Sequence, residues 1–307
     1  MFPVKKSNFQ EKDPPLDKNQ LDFTSALKLE KKQKNQRRVT ALLFFVLSFS
    51  SLLFYFVTYL KKTLPSFSFP FSSVSLSRPW TDKLLKELAK QPGDWAVYLK
   101  VLRGGEFSWG YQENRSFPAA SLRKLVLARD YCQALDSSQI DPQETYSLQE
   151  KDKVPGAGLL SQERSGKIYL NRELLNLALS FSDNTAAAVL ARRLPETSYS
   201  LSTTTPLQTA ALLEAFYLQK DQNPCFKEVL SSLTNTAFEN LLPAGLPQVI
   251  TISHKVAQDQ SYLADAALIF TPEKDYLLVI IADNVNRHLA EAAFPSLSRL
   301  IYLSLIN

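Results

Sequence analysis

Between Val39 and Leu60 the chain reads VTALLFFVLSFSSLLFYFVTYL, 22 residues without one charged side chain. A helix over this stretch is about 33 Å long, enough to cross the hydrocarbon core of a bilayer. A core helix of a soluble domain would keep a polar stripe, and this segment is apolar on every side. A cleaved signal peptide is the competing reading, but its apolar region would be shorter and followed by small residues. Here Lys61-Lys62 and a linker rich in Ser, Pro and Phe (61–79) follow. The expectation is therefore an uncleaved single-pass anchor at 39–60, held in a lipid bilayer. Residues 1–38 carry ten Lys/Arg against two lysines just after the span. That asymmetry sets 1–38 in the cytoplasm, as a basic disordered tail, and everything beyond the anchor outside the cell.

The tail also accounts for the whole net charge of +5, because it holds ten basic and five acidic residues of the 35 and 30 in the chain. The remainder is balanced. A nucleic-acid-binding body needs a basic face, so that class is excluded. Residues 80–307 are ample for a sizeable core. Cys132 and Cys225 are the only cysteines. Export permits a disulfide, but nothing in the pattern places them together, and two buried free thiols are expected.

Within the body, Thr81–Gln91 reads as a helix with Thr81 at its cap. Residues 95–102 (WAVYLKVL) alternate as a strand, and EFSWGYQ pairs back on them after an Arg-Gly-Gly turn. Residues 249–257, 262–270 and 276–283 read as three more strands joined by short turns, hence antiparallel. A helix over 285–306 closes the chain. Between the strand groups the pattern is helical. One helix covers AASLRKLVLARDYCQAL, another starts with Asn171 as cap, and TAAAVLARRL continues it after a break. A third starts at Thr205 as cap with Pro206 first and Gln208 completing a capping box. The architecture is α+β: a five-stranded antiparallel sheet built from both chain ends, flanked by the terminal helices, with an all-helical domain inserted.

Three polar stretches stand out. Ser121 and Lys124 are one turn apart at the start of a helix, where free N–H groups favour developing negative charge. A lysine can activate a serine hydroxyl only when neutral, which burial or a nearby cation makes possible. The same spacing at Ser25 and Lys28 lies in the solvated tail and has no such surroundings. Ser182-Asp183-Asn184 interrupts two helices; an Asx turn explains it equally well. His254-Lys255 sits in an otherwise apolar strand, facing either solvent as an edge lysine or a polar cleft. His254 and His288 are the only histidines, with no spacing typical of metal ligands. No metal and no cofactor are expected.

Taken in order, Ser-x-x-Lys, Ser-Asp-Asn and His-Lys on a strand resemble the class A β-lactamase and penicillin-binding protein superfamily. The likeness covers roughly 94–307 and extends to FPAASLRKL, VPGAGLL, FSDNTAAAVL, TTTP, LPAGLP and YLADAALIF. It implies a serine acyl-enzyme acting on β-lactams or D-Ala-type peptidoglycan peptides at a bacterial cell membrane. Ser121 would attack the carbonyl, Lys124 would serve as base or proton relay, and Ser182 would pass a proton to the leaving nitrogen. Asn184 would hold the substrate amide, and Lys255 would attract the substrate carboxylate. The N–H groups of Ser121 and Gln258 would form the oxyanion hole.

Two departures temper what the resemblance implies. The family's Lys-Thr-Gly is Lys255-Val256-Ala257 here. Loss of the threonine hydroxyl removes a hydrogen bond to the substrate, worth roughly 1.5–3 kcal/mol when the partner is charged. The loop that carries a deacylating glutamate in β-lactamases is replaced by ARRLPETSYSLSTTTP, whose one carboxylate, Glu196, reads as a solvated loop residue. Without that base an acyl-enzyme should persist. A different class of function, a non-catalytic domain that keeps the fold to bind peptidoglycan or a partner protein, is the alternative.

Overall fold

The computed structural model describes residues 79–195 and 197–306. The basic tail, the apolar stretch 39–60, the linker up to residue 78, and Glu196 lie outside the described residues.

The chain begins with helix α1 (Pro79–Ala89), then strands β1 (Asp94–Arg103), β2 (Ser108–Tyr111) and β3 (Phe117–Pro118). Pro79 takes a first-turn position, where a missing N–H is harmless, so the helix starts two residues before the expected Thr81 cap and buries Thr81. A 3₁₀ turn (Ala120–Leu122) leads into α2 (Arg123–Asp136), and β4 (Thr145–Ser147) and β5 (Ile168–Leu170) precede α3 (Asn171–Ser180). Next come α4 (Asn184–Arg193), β6 (Thr203–Thr204), α5 (Pro206–Gln219) and α6 (Pro224–Thr234). The chain closes with β7 (Thr251–Gln258), β8 (Tyr262–Phe270), β9 (Asp275–Asp283) and α7 (Arg287–Ile306).

Five strands form one antiparallel sheet in the order β2-β1-β9-β8-β7. It is the α+β arrangement expected, made from both chain ends. Every residue of β8 and β9 except the last is buried, because helices cover both faces. On one face Leu84, Leu88, Phe294 and Ile301 of α1 and α7 pack with Val97, Leu278 and Ile280. On the other, Leu125, Leu213, Phe216 and Val229 of the inserted helices pack with Ala264, Leu268 and Val279. Alternation along each strand divides its side chains between the two cores. Helix α7 is the one helix among the described residues long and apolar enough to cross a membrane. Its Ala290, Phe294, Leu297, Ile301 and Leu305 are buried in the core under the sheet.

Local signals explain most helix starts. The Thr205 side chain accepts from Gln208 N while Gln208 reaches back to Thr205 N, with Pro206 first in the helix. At α3 the cap is Leu170, not Asn171. Asn171 is buried one residue inside, donating to Asp141 O at 2.7 Å and accepting from Arg193 at 2.6 Å. The two cysteines expected as free thiols are joined as Cys132–Cys225, Cα atoms 5.6 Å apart across 93 residues of sequence. The reason is tertiary: the middle of α2 meets the first turn of α6.

Candidate active site

Ser121 lies in the 3₁₀ turn ahead of α2, at the end of a segment forced into an unusual path. Ala120 has φ of 42°, a left-handed conformation that costs an ordinary residue roughly 1–2 kcal/mol. Ala119 N donates to Ser202 O at 2.9 Å, and β3 pairs with β6. These contacts over-determine the turn and hold Ser121 half-buried beside the edge strand β7. Ser182 shows the same strain, with φ of 53°.

The turn that carries Ser182 is built around Asp183. Its fully buried carboxylate accepts from Ala186 N (2.8 Å), capping α4, and from Leu159 N (2.6 Å) and Leu160 N (2.8 Å). Gly158 permits that approach: with φ of 108°, a Cβ there would lie 2.3 Å from the Asp183 carboxylate. At Gly156 a Cβ would lie 2.7 Å from Asn184 Nδ2. The segment VPGAGLL is thus shaped to press against Ser182-Asp183-Asn184.

The polar side chains converge. Four oxygens surround Lys124 Nζ: Ser182 O at 2.6 Å, Asn184 Oδ1 at 2.8 Å, Ser182 Oγ at 3.1 Å and Ser121 Oγ at 3.2 Å. Ser182 Oγ lies 3.0 Å from Ser121 Oγ and accepts from Lys255 Nζ at 2.9 Å. Ser182 is therefore the bridge between both lysines and Ser121. An ammonium has three hydrogens for those four oxygens. A neutral amine has instead a lone pair free to take the Ser121 proton.

Electrostatics favours that neutral form. Lys124 is 1% exposed, and burial, assisted by the neighbouring Arg123 charge, lowers its pKa to about 7. Lys255 is also 1% exposed rather than an open edge lysine. Burial and the Lys124 charge push it well below the ordinary lysine value. The Phe238 ring lies 5.7 Å from its Nζ.

Strand β7 is a sheet edge. Asp259 N donates to Tyr262 O, so by antiparallel alternation the N–H of Gln258 points away from β8, toward the cleft. The Gln258 side chain is exposed and accepts from Arg287 at 3.0 Å. Val256 behaves differently from the expectation of a cleft residue. Its side chain is buried in the core under the terminal helices, on the opposite face of β7 from Lys255. Only its carbonyl takes part, accepting from Lys255 Nζ at 3.3 Å. A valine suits that apolar position.

The short loop after α4 is pinned to α2. Arg123 stacks over the Tyr199 ring at 4.7 Å, and Asp130 accepts from Thr197 Oγ1 (3.0 Å) and Ser198 N (2.8 Å). Sequence reasoning passed over Arg123, Asp130 and Tyr199. Only the Arg123 charge beside Lys124 offered a signal. Among the described residues no group of three His, Cys, Asp or Glu side chains could hold a metal ion. Chemically, a hydroxyl, a neutral amine, a relaying hydroxyl and outward N–H groups in one cleft suit acyl transfer.

Known proteins share this fold. Residues 79–305 match the profile of the beta-lactamase enzyme family. No protein of curated function matches the chain. Among solved structures, PBP-A superposes with a TM-score of 0.68 at 21% identity, covering 75% of this chain and 96% of that one. A mutant of PBP-A, solved as an acyl-enzyme complex with penicillin G, gives 0.67 at 22% identity, covering 74% and 96%. A β-lactamase from Sphaerobacter thermophilus gives 0.67 at 18% identity, covering 73% and 96%. At such identities the superpositions speak to the fold, and the family match spans most of the protein. The chain belongs to the beta-lactamase enzyme family.

Proposed function

We propose that the protein is a membrane-anchored serine acyl-enzyme, acylated on Ser121 by β-lactams or by D-Ala-type peptidoglycan peptides. The observation that carries this reading is the continuous hydrogen-bonded chain Ser121–Lys124–Ser182–Lys255 at the sheet edge. In it Lys124 draws the proton from Ser121 as the hydroxyl attacks the carbonyl. Ser182 returns a proton to the departing nitrogen, and the tetrahedral oxyanion sits against the N–H groups of Ser121 and Gln258. Asn184 orients the substrate amide, and Lys255 meets the substrate carboxylate.

Deacylation is slow in this reading. The loop after α4 is too short to carry a deacylating glutamate as in β-lactamases, and the two acids whose charge reaches the lysines are committed: Asp183 to backbone N–H groups and Asp265 to His254 and Leu242 N. The protein then resembles a penicillin-binding protein in behaviour more than a drug-hydrolysing enzyme. The anchor is 39–60, with 1–38 in the cytoplasm and 80–307 outside. The Cys132–Cys225 disulfide supports an oxidising, extracytoplasmic site for the domain.

A second reading, a non-catalytic domain that binds peptidoglycan or a partner protein, is favoured by Val256-Ala257 standing where the family has Thr-Gly. Incubating the protein with a fluorescent penicillin, beside Ser121→Ala, separates the two. A lasting mass adduct confined to the wild type is expected. Absence of any adduct on folded wild-type protein over hours would favour the binding domain, and rapid hydrolysis would overturn slow deacylation.

A further inference from the structure

The acylation chemistry uses one face of β7. On its other face, one residue before Lys255, lies a second buried polar pair. His254 Nδ1 stands 2.9 and 3.1 Å from the two carboxylate oxygens of Asp265 on β8, and neither side chain has any exposed surface. Asp265 also accepts from Leu242 N at 3.2 Å. The carbonyl of Leu242 in turn accepts from Ser298 of α7 at 2.9 Å. One carboxylate thus ties the edge strand, the segment before it and the last helix together.

This pair is an odd choice for packing alone. Its neighbours along the strands are Ile252, Val256, Leu263 and Ala267, all in the apolar core under the terminal helices. His254 Nε2 is buried and meets no hydrogen-bond partner among the described residues, an arrangement that costs about 1–3 kcal/mol. Apolar side chains of similar volume would fill such a site without that cost. What the pair adds is charge and register next to Lys255. Five groups act on the Lys255 amine: Lys124 from α2, Ser182 from the strained turn, the Val256 carbonyl on its own strand, the Phe238 ring, and Asp265 from β8. Lys124 drives the proton off, and Asp265 opposes it through the low-dielectric sheet.

We propose that His254 and Asp265 are positioning residues for Lys255: the histidine holds the edge strand in register behind it, and the carboxylate supplies the counter-charge that keeps its amine on Ser182. The proposal rests on the acyl-enzyme reading only for its kinetic consequence. Neither residue touches substrate; both act through Lys255.

The test uses the full-length chain with lysines carbon-13 labelled at Cε, the Lys255 signal being assigned by its loss in Lys255→Arg. Its titration is followed by NMR alongside the pH profile of penicillin acylation. Asp265→Asn should lower the Lys255 midpoint and slow acylation roughly 10-fold or more, the value of a hydrogen bond to a charged group. His254→Asn still offers Asp265 an N–H donor and should stay near wild type, whereas His254→Leu should not. The proposal is overturned if Asp265→Asn and His254→Leu leave both titration and pH profile in place and lower only the melting temperature. Should His254→Leu fail to fold, Asp265→Asn compared with His254→Asn decides in the same way. A wild type that never acylates would overturn the acyl-enzyme reading, while the Lys255 titration would still judge the pair.

Discussion

The sharpest consequence of the site is a pH dependence centred on Lys124. At the ordinary lysine value of 10.5 about one molecule in 3,000 would carry a neutral amine at pH 7. With the pKa at about 7, roughly half do. Burial therefore raises the population of competent base by about three orders of magnitude. The acylation rate should climb tenfold per pH unit below about 7 and level off above it, until Lys255, itself held well below the ordinary lysine value, sheds the charge that meets the substrate carboxylate. Arg123 is one cause of the depression, so Arg123→Gln should move the midpoint upward. The variant should then be slower than wild type at pH 6 and equal to it at pH 9. Stopped-flow or gel-based acylation by a fluorescent penicillin from pH 5 to 9 measures this directly. A profile that is flat or falls between about pH 5 and 7, or whose ascending midpoint stays put or drops in Arg123→Gln, would refute Lys124 as the base. The same shift acts on stability. Between about 7 and 10.5 the unfolded chain holds a proton on Lys124 that the folded chain has released. The unfolded state binds more protons there, so stability rises with pH across that window.

Two further outcomes follow from the fold. Replacing both Cys132 and Cys225 by serine should destabilise the protein by up to about 4.6 kcal/mol, the loop-closure value for 93 residues of separation, as read by thermal and denaturant unfolding with and without reductant. A loss below about 1 kcal/mol would mean that the link does not constrain the unfolded chain. Gly158→Ala should both strain a φ of 108° and drive a methyl into Asp183. It should cost about 1–3 kcal/mol in unfolding free energy and slow acylation by displacing Ser182 and Asn184; retention of full acylation would show that the glycine does not shape the site.

The elements and chemistry that can be read from sequence here are those governed by local rules. The alternation of WAVYLKVL, the Thr205-Pro206-Gln208 cap and the one-turn spacing of Ser121 and Lys124 each depend on a few neighbouring residues. Their structural counterparts agree to within a residue or two. What stayed hidden depends on register and docking. Lys255 reads as an edge lysine until α2 and the Ser182 turn are packed against β7. Val256 reads as a cleft residue until strand alternation assigns it to the far core. His254 finds Asp265 only once β7 and β8 are paired, and Cys132 finds Cys225 only where two helices meet. Asn171 has the chemistry of a cap, but its burial beside Asp141 and Arg193 gives it another use.

The sheet's own wiring governs how such a molecule comes into being. Strand β1 pairs along its length with β9, so Asp94 waits for Asp283. A ribosome delivers the first hairpin long before that partner, and two strands alone are marginal in water. Ser121, Lys124 and Ser182 are all synthesised while the surface meant to receive them is still missing. Contacts of such sequence separation are slow to form, and they leave the nascent helices open to proteases and to aggregation in the interval. A chain interrupted between Gln258 and Asp275 would hold every side chain of the proposed chemistry and lack the strand that joins the two halves of the sheet, so acylation should switch on late and all at once as the last strand zips into the centre of the sheet.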